Sequence, residues 1–243
     1  FIVNALQPAE VAAVGRTLAG LSHVEVEGVF THLATADEPE NPYTRAQLDR
    51  FEAALAELEA VGVRPAIRHV ANSAGLMLHP EAHYDMVRSG IAVVGLPPAP
   101  GVDWPVKLTP ALTWKTRVGL VKWLEAGRSV SYNCTYTTAA REQIATLPVG
   151  YADGFSRKLS NRAEVLIRGR RCPVVGVVTM DQTMVRVPDD VPVQVGDEVV
   201  LIGRQGDEEV TATELAGLAE TINYEIVCGI SRRVPRFYPP ENV

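Results

Sequence analysis

The stretch "LTPALTWKTRVGLVKWL", residues 108–124, marks a change in the kind of secondary structure that the sequence predicts. Before it, segments with apolar residues at helical spacing alternate with short β-branched runs. From it onward, the segments are short, rich in Val and Ile, and separated by turn sequences such as "VPDD" and "VGDE". Alternating helices and strands are typical of parallel βα units, whereas closely spaced short strands are typical of a β domain. We therefore predict an α/β part over residues 1–107 and a β-rich part over residues 108–243.

The first part contains about four βα units. The sequences "QPAEVAAVGRTLAGL" (7–21) and "TRAQLDRFEAALAELEAVG" (44–62) predict helices, and "VEVEGVFTHLA" (24–34) and "AIRHVANSAG" (66–75) predict strands. Four units are too few to close an eight-stranded barrel, which takes roughly 200 residues or more. Because the chain also begins without methionine, we expect it to hold the second half of a (β/α)8 barrel of the TIM type.

The second part is predicted to be mostly strand. "TATELAGLAETIN" (211–223) is its one clear helix, and "ETINYEIVCGISRRVPR" (220–236) predicts a helix end that runs into a strand. "LPVGYADGFSR" (147–157) and "VVTMDQTMV" (177–185) predict strands that lead into polar turns.

Composition narrows the class of function. A net charge of −6, without a block of Lys and Arg, disfavours nucleic acid or an anionic membrane as partner. A small organic substrate or cofactor is the better expectation. Three widely spaced cysteines outside any CxxC pattern disfavour a disulfide framework and a zinc site. With no apolar run of about 18 residues and no signal-peptide pattern, we expect a cytoplasmic protein.

Two consecutive predicted strand ends carry groups that suit a phosphate. Asn72 and Ser73 follow the first, and Arg88, Gly90 and Ile91 follow the next. Hydroxyl and backbone N–H groups at such ends can bind an anion. Taken one at a time, a helix-capping serine and a surface arginine are the simpler interpretations.

The histidines taken singly favour structural roles. His32 follows an apolar strand, where a hydrogen-bonded structural histidine is more common than a catalytic one. His79 and His83 in "HPEAH" are separated by Pro80 and do not form the HExxH pattern. A third ligand is also missing, so we expect no metal site.

Together, the motifs closely resemble alanine racemase, a family of pyridoxal-phosphate enzymes. The matching segments, in order, are "VEGVFTHLATADE", "HVANSAG", "VRSGIAVVG", "VSYNCTY", "LPVGYADGFSR", "TMDQTMV" and "ETINYEI…SRRVPR". The resemblance runs from about Val24 to the C-terminus. It implies an eight-fold βα barrel followed by a β domain, and a head-to-tail homodimer whose active sites each join one subunit's barrel to the other's β domain. It also implies interconversion of L-alanine and D-alanine, the latter for bacterial peptidoglycan.

The resemblance also implies roles for individual residues. Arg88 would face the pyridine nitrogen of the cofactor, His32 would support Arg88, and Tyr132 would transfer a proton in the partner's site. The substrate side would be formed by Met180, through its backbone N–H, with Asp181 beside it and Tyr151 at the entrance. The remaining implied residues are those of the cofactor phosphate site, Asn72, Ser73, Gly90, Ile91 and Tyr224, and those that narrow the entrance, Asp37, Arg157 and Ile222.

This chemistry requires two acid/base groups. Removing the α-proton of an amino acid and returning it to the other face needs one such group on each side of a plane. A phenol has an ordinary pKa of about 10, so it needs a neighbour that stabilises its anion. The Arg88–His32 pair would supply that neighbour. Arginine does not in practice release its proton, so Arg88 would leave the ring nitrogen unprotonated.

The sequence departs from the family pattern at several places. The cofactor-binding lysine of a "VVKANAYGHG" segment and the arginine of a "DTGMxRLG" segment are absent from the 243 residues. Val177 stands where many members have arginine, and Asn133 and Cys134 replace a common Gly-Ala pair. The four lysines present, Lys107, Lys115, Lys122 and Lys158, have other settings. We therefore expect this chain alone to be an inactive fragment of the enzyme.

Two other functions stay open at this stage. One is a racemase of broader specificity, acting on serine or lysine, or more remotely a basic amino-acid decarboxylase. The other is a non-catalytic remnant retained for dimerisation or regulation. A sequence in which the pocket residues were replaced would favour the non-catalytic remnant. This sequence retains nearly all of them, which speaks against that alternative.

Overall fold

Residues 8–238 are described by a computed structural model. The chain divides after Pro110 into two units, each with its own core. No helix within the described residues is long and apolar enough to cross a membrane.

The N-terminal unit consists of parallel βα units. Its elements are α1 (Pro8–Ala19), β1 (Gly28–Phe30), α2 (Tyr43–Ala60), β2 (Ile67–His69) and α3 (Ser73–Leu78). The two strands run parallel with Phe30 opposite His69, and a single parallel bridge joins His69 to Met86 in a third extended segment. This confirms the predicted helix–strand alternation.

Helix α2 covers the outer side of these strands. Leu48, Phe51 and Leu58 recur at helical spacing and are almost completely buried, as an amphipathic helix on a sheet requires. They pack in one cluster with Val29 and Val70. These two valines are next to Phe30 and His69, whose side chains point to the opposite side of the strands. The opposite side of the strands is therefore left for the polar side chains described below.

The C-terminal unit is built mainly from antiparallel strands. Its strands are β3 (Trp114–Arg117), β4 (Leu120–Leu124), β5 (Ser129–Val130), β6 (Tyr136–Thr137), β7 (Glu142–Leu147), β8 (Glu164–Ile167), β9 (Arg170–Pro173), β10 (Thr183–Val187), β11 (Glu198–Gln205) and β12 (Glu208–Val210). Three of the strands form a sheet in the order β10-β7-β4. A second sheet has the order β12-β11-β8-β9, with β3 paired to β11 as well, and β5 and β6 form a hairpin. An antiparallel bridge between Val174 and Val185 connects the first two sheets.

The prediction for the end of the chain is wrong in one respect. Besides α4 (Ala212–Ala219), a second helix, α5, spans Asn223–Gly229, and no described residue after it is in a strand. The β-branched content of the segment suggested a strand. Its buried residues, Asn223, Ile226 and Ile230, instead recur at three- and four-residue intervals, which is helical spacing.

Candidate active site

Strand alternation brings three polar side chains to one face of the N-terminal unit. Phe30 and His69 are paired in register, and His69 is bridged to Met86. Side chains two residues apart along a strand share a face. His32 and Arg88, which follow Phe30 and Met86 by two residues, therefore lie beside His69 at the carboxyl ends of the strands.

The Arg88 guanidinium is the centre of this cluster. Its Nη1 donates to the carbonyl oxygen and to Nδ1 of His69, both at 2.9 Å. Its Nη2 donates to the Thr31 carbonyl at 2.9 Å, to His32 Nδ1 at 3.1 Å and to the Val70 carbonyl at 3.3 Å. Because a guanidinium can only donate, both imidazoles accept at Nδ1 and, when neutral, carry their proton on Nε2.

The surroundings favour the neutral form of the two imidazoles. Burial and, to a lesser degree, the Arg88 cation lower the pKa of both His32 and His69. Burial also lowers the pKa of Arg88, but arginine starts so high that it stays charged. The guanidinium carbon lies 5.0 Å from the centroid of the Phe30 ring, which stacks on His69 at 4.9 Å. The face thus presents one fixed positive charge between two neutral rings.

A cleft opens on the same face of the strands. Its volume is about 510 Å³, and it is bordered by Phe30, His69 and Met86, by Gly28 and Ile67 at the beginnings of β1 and β2, and by Leu18 and residues 24–27. The residues that line it do not include His32, Ser73 or Arg88. The alternate residues of barrel strands point to the barrel interior, which is where such a cleft is expected.

A cluster of hydrogen-bond donors follows β2. Ser73 is only 3% exposed, and its Oγ accepts from the backbone N–H groups of Gly90 at 2.9 Å and Ala92 at 3.3 Å. The Ser73 hydroxyl therefore meets the N–H groups of Gly90 and Ala92 at the start of the Ile91–Val94 3₁₀ turn. A Cβ at Gly90 would come no closer than 4.0 Å to Ser73 Oγ, so this corner has room beside the glycine.

Asn72, and not Ser73, caps α3. The Asn72 Oδ1 accepts from the Gly75 N–H at 2.9 Å, and its Nδ2 donates to the Leu33 carbonyl at 3.2 Å. Ser73 is the first helical residue, so its hydroxyl is not used as the cap. The simple capping role that the sequence suggested for Ser73 belongs to its neighbour.

In the C-terminal unit, Tyr132 is held outward on a constrained turn. It begins a short 3₁₀ turn and is 69% exposed. The surrounding Ser131, Asn133 and Cys134 have φ values of 65°, 61° and 50°, a region that non-glycine residues rarely adopt. The Ser131 hydroxyl donates to the Val177 carbonyl at 2.6 Å, which fixes the base of the turn.

Met180 lies on a second closed turn. The Thr179 N–H and hydroxyl both donate to the Gln182 carbonyl at 2.9 Å. The side chain of Met180 is 53% exposed, and within residues 8–238 its N–H has no recorded acceptor. The N–H groups of Tyr151 and Ala152 donate at 3.0 Å to the Thr179 and Met180 carbonyls, so Tyr151 stands beside this turn.

Arg233 connects the turn of Met180 to the loop of Tyr151. Its Nη2 donates to Asp181 Oδ1 at 2.6 Å, and its Nε lies 3.3 Å from Asp153 Oδ1. Asp153 Oδ2 in turn accepts from the Gly150 N–H at 2.9 Å. The Asp181 carboxylate is therefore engaged by Arg233 within the unit.

The predicted residues fall into two groups. The N-terminal unit brings together His32, Asn72, Ser73, Arg88, Gly90 and Ile91, and also carries Asp37. The C-terminal unit brings together Tyr151, Met180 and Asp181, and also carries Tyr132, Arg157, Ile222 and Tyr224. Residues 8–238 contain no group of three or more His, Cys, Asp or Glu that could hold a metal ion.

Sequence reasoning assigned no role to His69 or Arg233. His69 lies two residues after Ile67 in a predicted strand, so alternation could have placed it beside Arg88. Arg233 pairs with carboxylates 52 and 80 residues earlier in the chain, and no local pattern indicates such a pairing.

Replacing Gly150 by alanine is expected to destabilise the C-terminal unit by about 1–3 kcal/mol. A Cβ at this position would lie 2.2 Å from the Thr179 carbonyl oxygen and 2.5 Å from that of Met180. Urea unfolding measures the change. The matched control is Gly217→Ala in α4, where a Cβ meets nothing within 4 Å and helix propensity favours alanine. Equal stability of the two variants would contradict the close packing of these loops.

Two family profiles match this sequence. "Alanine racemase, N-terminal domain" matches residues 6–98, and "Alanine racemase, C-terminal domain" matches residues 111–238, more than half of the 243. The chain belongs to the alanine racemase family.

Individual members agree with this assignment. A curated alanine racemase of Symbiobacterium thermophilum is 86% identical over 97% of the chain and 63% of the relative. The crystal structure of alanine racemase from Bacillus anthracis with bound L-Ala-P superposes with a TM-score of 0.92 at 44% identity, covering 98% of this chain and 61% of that one. A structure from Bartonella henselae with covalently bound pyridoxal phosphate gives 0.84 at 29% identity, covering 96% and 62%.

The racemase relatives are longer than this chain, which spans about three fifths of their length. The predicted fold class is confirmed: the two units are part of a TIM-type barrel and a β domain, as in these neighbours. The suspected family is confirmed as well.

Proposed function

We propose that these residues carry the cofactor-phosphate site and one of the two proton-transfer groups of a pyridoxal-phosphate-dependent alanine racemase. The observation that carries the proposal is the Arg88 guanidinium, which donates to Nδ1 of both His32 and His69 at the carboxyl end of parallel strands. Bound pyridoxal phosphate would supply an electron sink for the charge left when the α-proton of alanine is removed.

The donors beside Ser73 fit a phosphate group. A buried hydroxyl and the backbone N–H groups of Gly90 and Ile91 are suited to phosphate oxygens. The hydrogen bond from the Gly90 N–H to Ser73 Oγ at 2.9 Å supports their closeness. Asn72 would fix the approach of the chain through its cap. Tyr224, from α5, would complete this site.

Arg88 would meet the pyridine nitrogen as a permanent donor. Its network of backbone carbonyls and imidazoles leaves little freedom to move, and its charge does not titrate near neutral pH. His32, protonated on Nε2, would then offer that N–H to Tyr132 of the partner subunit. Donation of this kind stabilises the phenol's anionic form, which is the form that accepts the α-proton.

The C-terminal unit would supply the substrate side of the partner's site. The Met180 N–H has no recorded acceptor within residues 8–238 and suits a carboxylate oxygen of alanine. Asp181 would hold the turn through Arg233. Tyr151 would narrow the entrance with Asp37, Arg157 and Ile222. The shared arrangement implies a homodimer.

The second acid/base group would be a lysine from outside these 243 residues. Lys115 pairs with Glu198 at 3.1 Å and Lys158 with Glu220 at 3.8 Å, both in the C-terminal unit. Lys107 and Lys122 are exposed. We propose that the complete enzyme works in the cytoplasm and supplies D-alanine for cell-wall precursors.

The test joins this chain to the segment of the Symbiobacterium relative that lies outside the match. The joined protein, given pyridoxal phosphate, is expected to interconvert L- and D-alanine and to act less well on serine and lysine. The 243-residue chain alone is the control and should show no visible absorbance of lysine-bound cofactor. A joined protein that binds the cofactor but racemises no amino acid would contradict the proposal, as would borohydride-fixed cofactor on any of the four lysines.

A further inference from the structure

The loop after β1 carries His32, yet it has no regular secondary structure of its own. Between Phe30 and the start of α2 at Tyr43, the described chain forms bends, turns and irregular segments, and residues 31–33 belong to no helix or strand. A side chain on such a loop keeps a fixed direction only if the backbone beneath it is held. The question is which group holds the backbone at His32.

Gln47 on α2 makes two hydrogen bonds to this backbone. Its Nε2 donates to the His32 carbonyl at 3.0 Å, and its Oε1 accepts from the Ala34 N–H at 2.8 Å. The two bonded residues flank Leu33, which is 3% exposed. In a parallel pair of strands, the N–H of one residue donates to the carbonyl of the residue before its partner, and its carbonyl accepts from the N–H of the residue after that partner. Gln47 makes the same two kinds of bond around Leu33. The Gln47 carboxamide therefore binds the backbone on both sides of Leu33 as a neighbouring strand would, although β1 itself ends at Phe30.

We propose that Gln47 is a positioning residue for His32, whose backbone it fixes so that the ring meets Arg88. This rests on the proposed function, since Arg88 and His32 belong to that site. The geometry requires a carboxamide: glutamate at neutral pH lacks the donor, and methionine, of similar length, lacks both groups.

Other contacts hold different parts of the loop. Asn72 holds the Leu33 carbonyl, the His79 ring contacts the Ala36 carbonyl at 3.1 Å, and the hydroxyls of Thr35 and Thr44 are 3.0 Å apart. Asn72 thus also holds the peptide group between Leu33 and Ala34, and Arg88 holds the Thr31 carbonyl before His32, whereas Gln47 donates to the His32 carbonyl itself. The loop is thus expected to stay folded when Gln47 is replaced, while the direction of His32 is lost.

The titration of His32 reports its position. Arg88 faces the His32 ring, and His69 lies across Arg88. If the ring moves from burial and from the Arg88 cation, the pKa of His32 rises towards its usual value of about 6.5. His69 lies on β2 and bonds Arg88 independently, so its pKa is expected to stay lowered.

The experiment is an NMR pH titration of the imidazoles in the 243-residue chain. Gln47→Met is expected to raise the pKa of His32 without changing that of His69. Gln47→Asn, which keeps the amide but is one methylene shorter, should do the same at smaller risk to folding. The matched control is Gln205→Met: Gln205 also accepts from one backbone N–H, of Gly169 at 2.8 Å, and donates to one carbonyl, of Glu198 at 3.3 Å, in the other unit.

An unchanged His32 titration in both folded Gln47 variants would overturn the proposal. So would an equal rise of the His32 pKa in Gln205→Met, since this would indicate general loosening. In the joined enzyme, Gln47→Met is expected to lower kcat about tenfold or more with KM little changed, because small misplacements of catalytic groups act on the chemical step. Failure of the joined enzyme to racemise alanine would count against the proposed function but would leave the titration result standing.

Discussion

Tyr132→Phe in the joined enzyme is expected to lower kcat for racemisation in both directions by about 10²–10⁴-fold, the usual contribution of a positioned acid/base group. Racemisation needs both groups, because one removes the proton and the other returns it to the opposite face. With Tyr132 gone, the remaining base should still exchange the α-proton of one enantiomer with solvent deuterium. Loss of racemisation with retained exchange from a single enantiomer is therefore the specific result, measured by NMR in D₂O.

Tyr136 provides the matched control for this substitution. It lies four residues later in β6, and its hydroxyl donates to Glu142 Oε2 at 2.5 Å. Burial and this bond raise its pKa to about 12, so Tyr136 is not suited to accept a proton near neutrality. Tyr136→Phe should leave kcat nearly unchanged. Full racemisation by Tyr132→Phe, or an equal loss in both variants, would refute the role assigned to Tyr132.

Arg88→Met is expected to destabilise the N-terminal unit by about 2–4 kcal/mol. It leaves the carbonyl oxygens of Thr31, His69 and Val70 without the donors that Arg88 now provides, and each buried unsatisfied group costs about 1–3 kcal/mol, with incomplete additivity. Urea unfolding at pH 7.5 measures the loss. Arg88→Lys keeps the charge but has only three donors on a single nitrogen, so it should retain part of the stability.

The same variants separate charge from hydrogen bonding through pH. The pKa values of His32 and His69 are lowered in the folded chain, so the unfolded chain binds more protons just below its ordinary histidine pKa of about 6.5. The free energy of unfolding must then fall as the pH is lowered through this value. In Arg88→Met, burial, the larger cause of the lowered histidine pKa values, remains, whereas the cation is lost. The fall in the free energy of unfolding should therefore be smaller than in wild type. An equal fall in wild type, Arg88→Met and Arg88→Lys would show that the Arg88 charge does not act on these rings.

The sequence by itself determined the order and type of most elements. The period of apolar residues in 44–62 encodes α2, and the short Val-rich runs after residue 108 encode antiparallel strands, because these signals depend only on neighbours in the chain. Motif order also indicated the family and supplied the residues that are proposed for the site. The end of the chain was misjudged because the β-branched residues of α5 suggest a strand until burial shows their helical spacing.

Only the tertiary structure decided how the residues meet. Arg88 reaches Thr31 and His32, 57 and 56 residues earlier, and His69, 19 residues earlier, because parallel strands bring their carboxyl ends to one edge. In the sequence, Gln47 is an ordinary polar residue of a predicted helix. Its two hydrogen bonds to the loop of His32 form only when α2 packs on the strands. Hydrogen bonds between distant segments depend on packing geometry, which local composition does not encode.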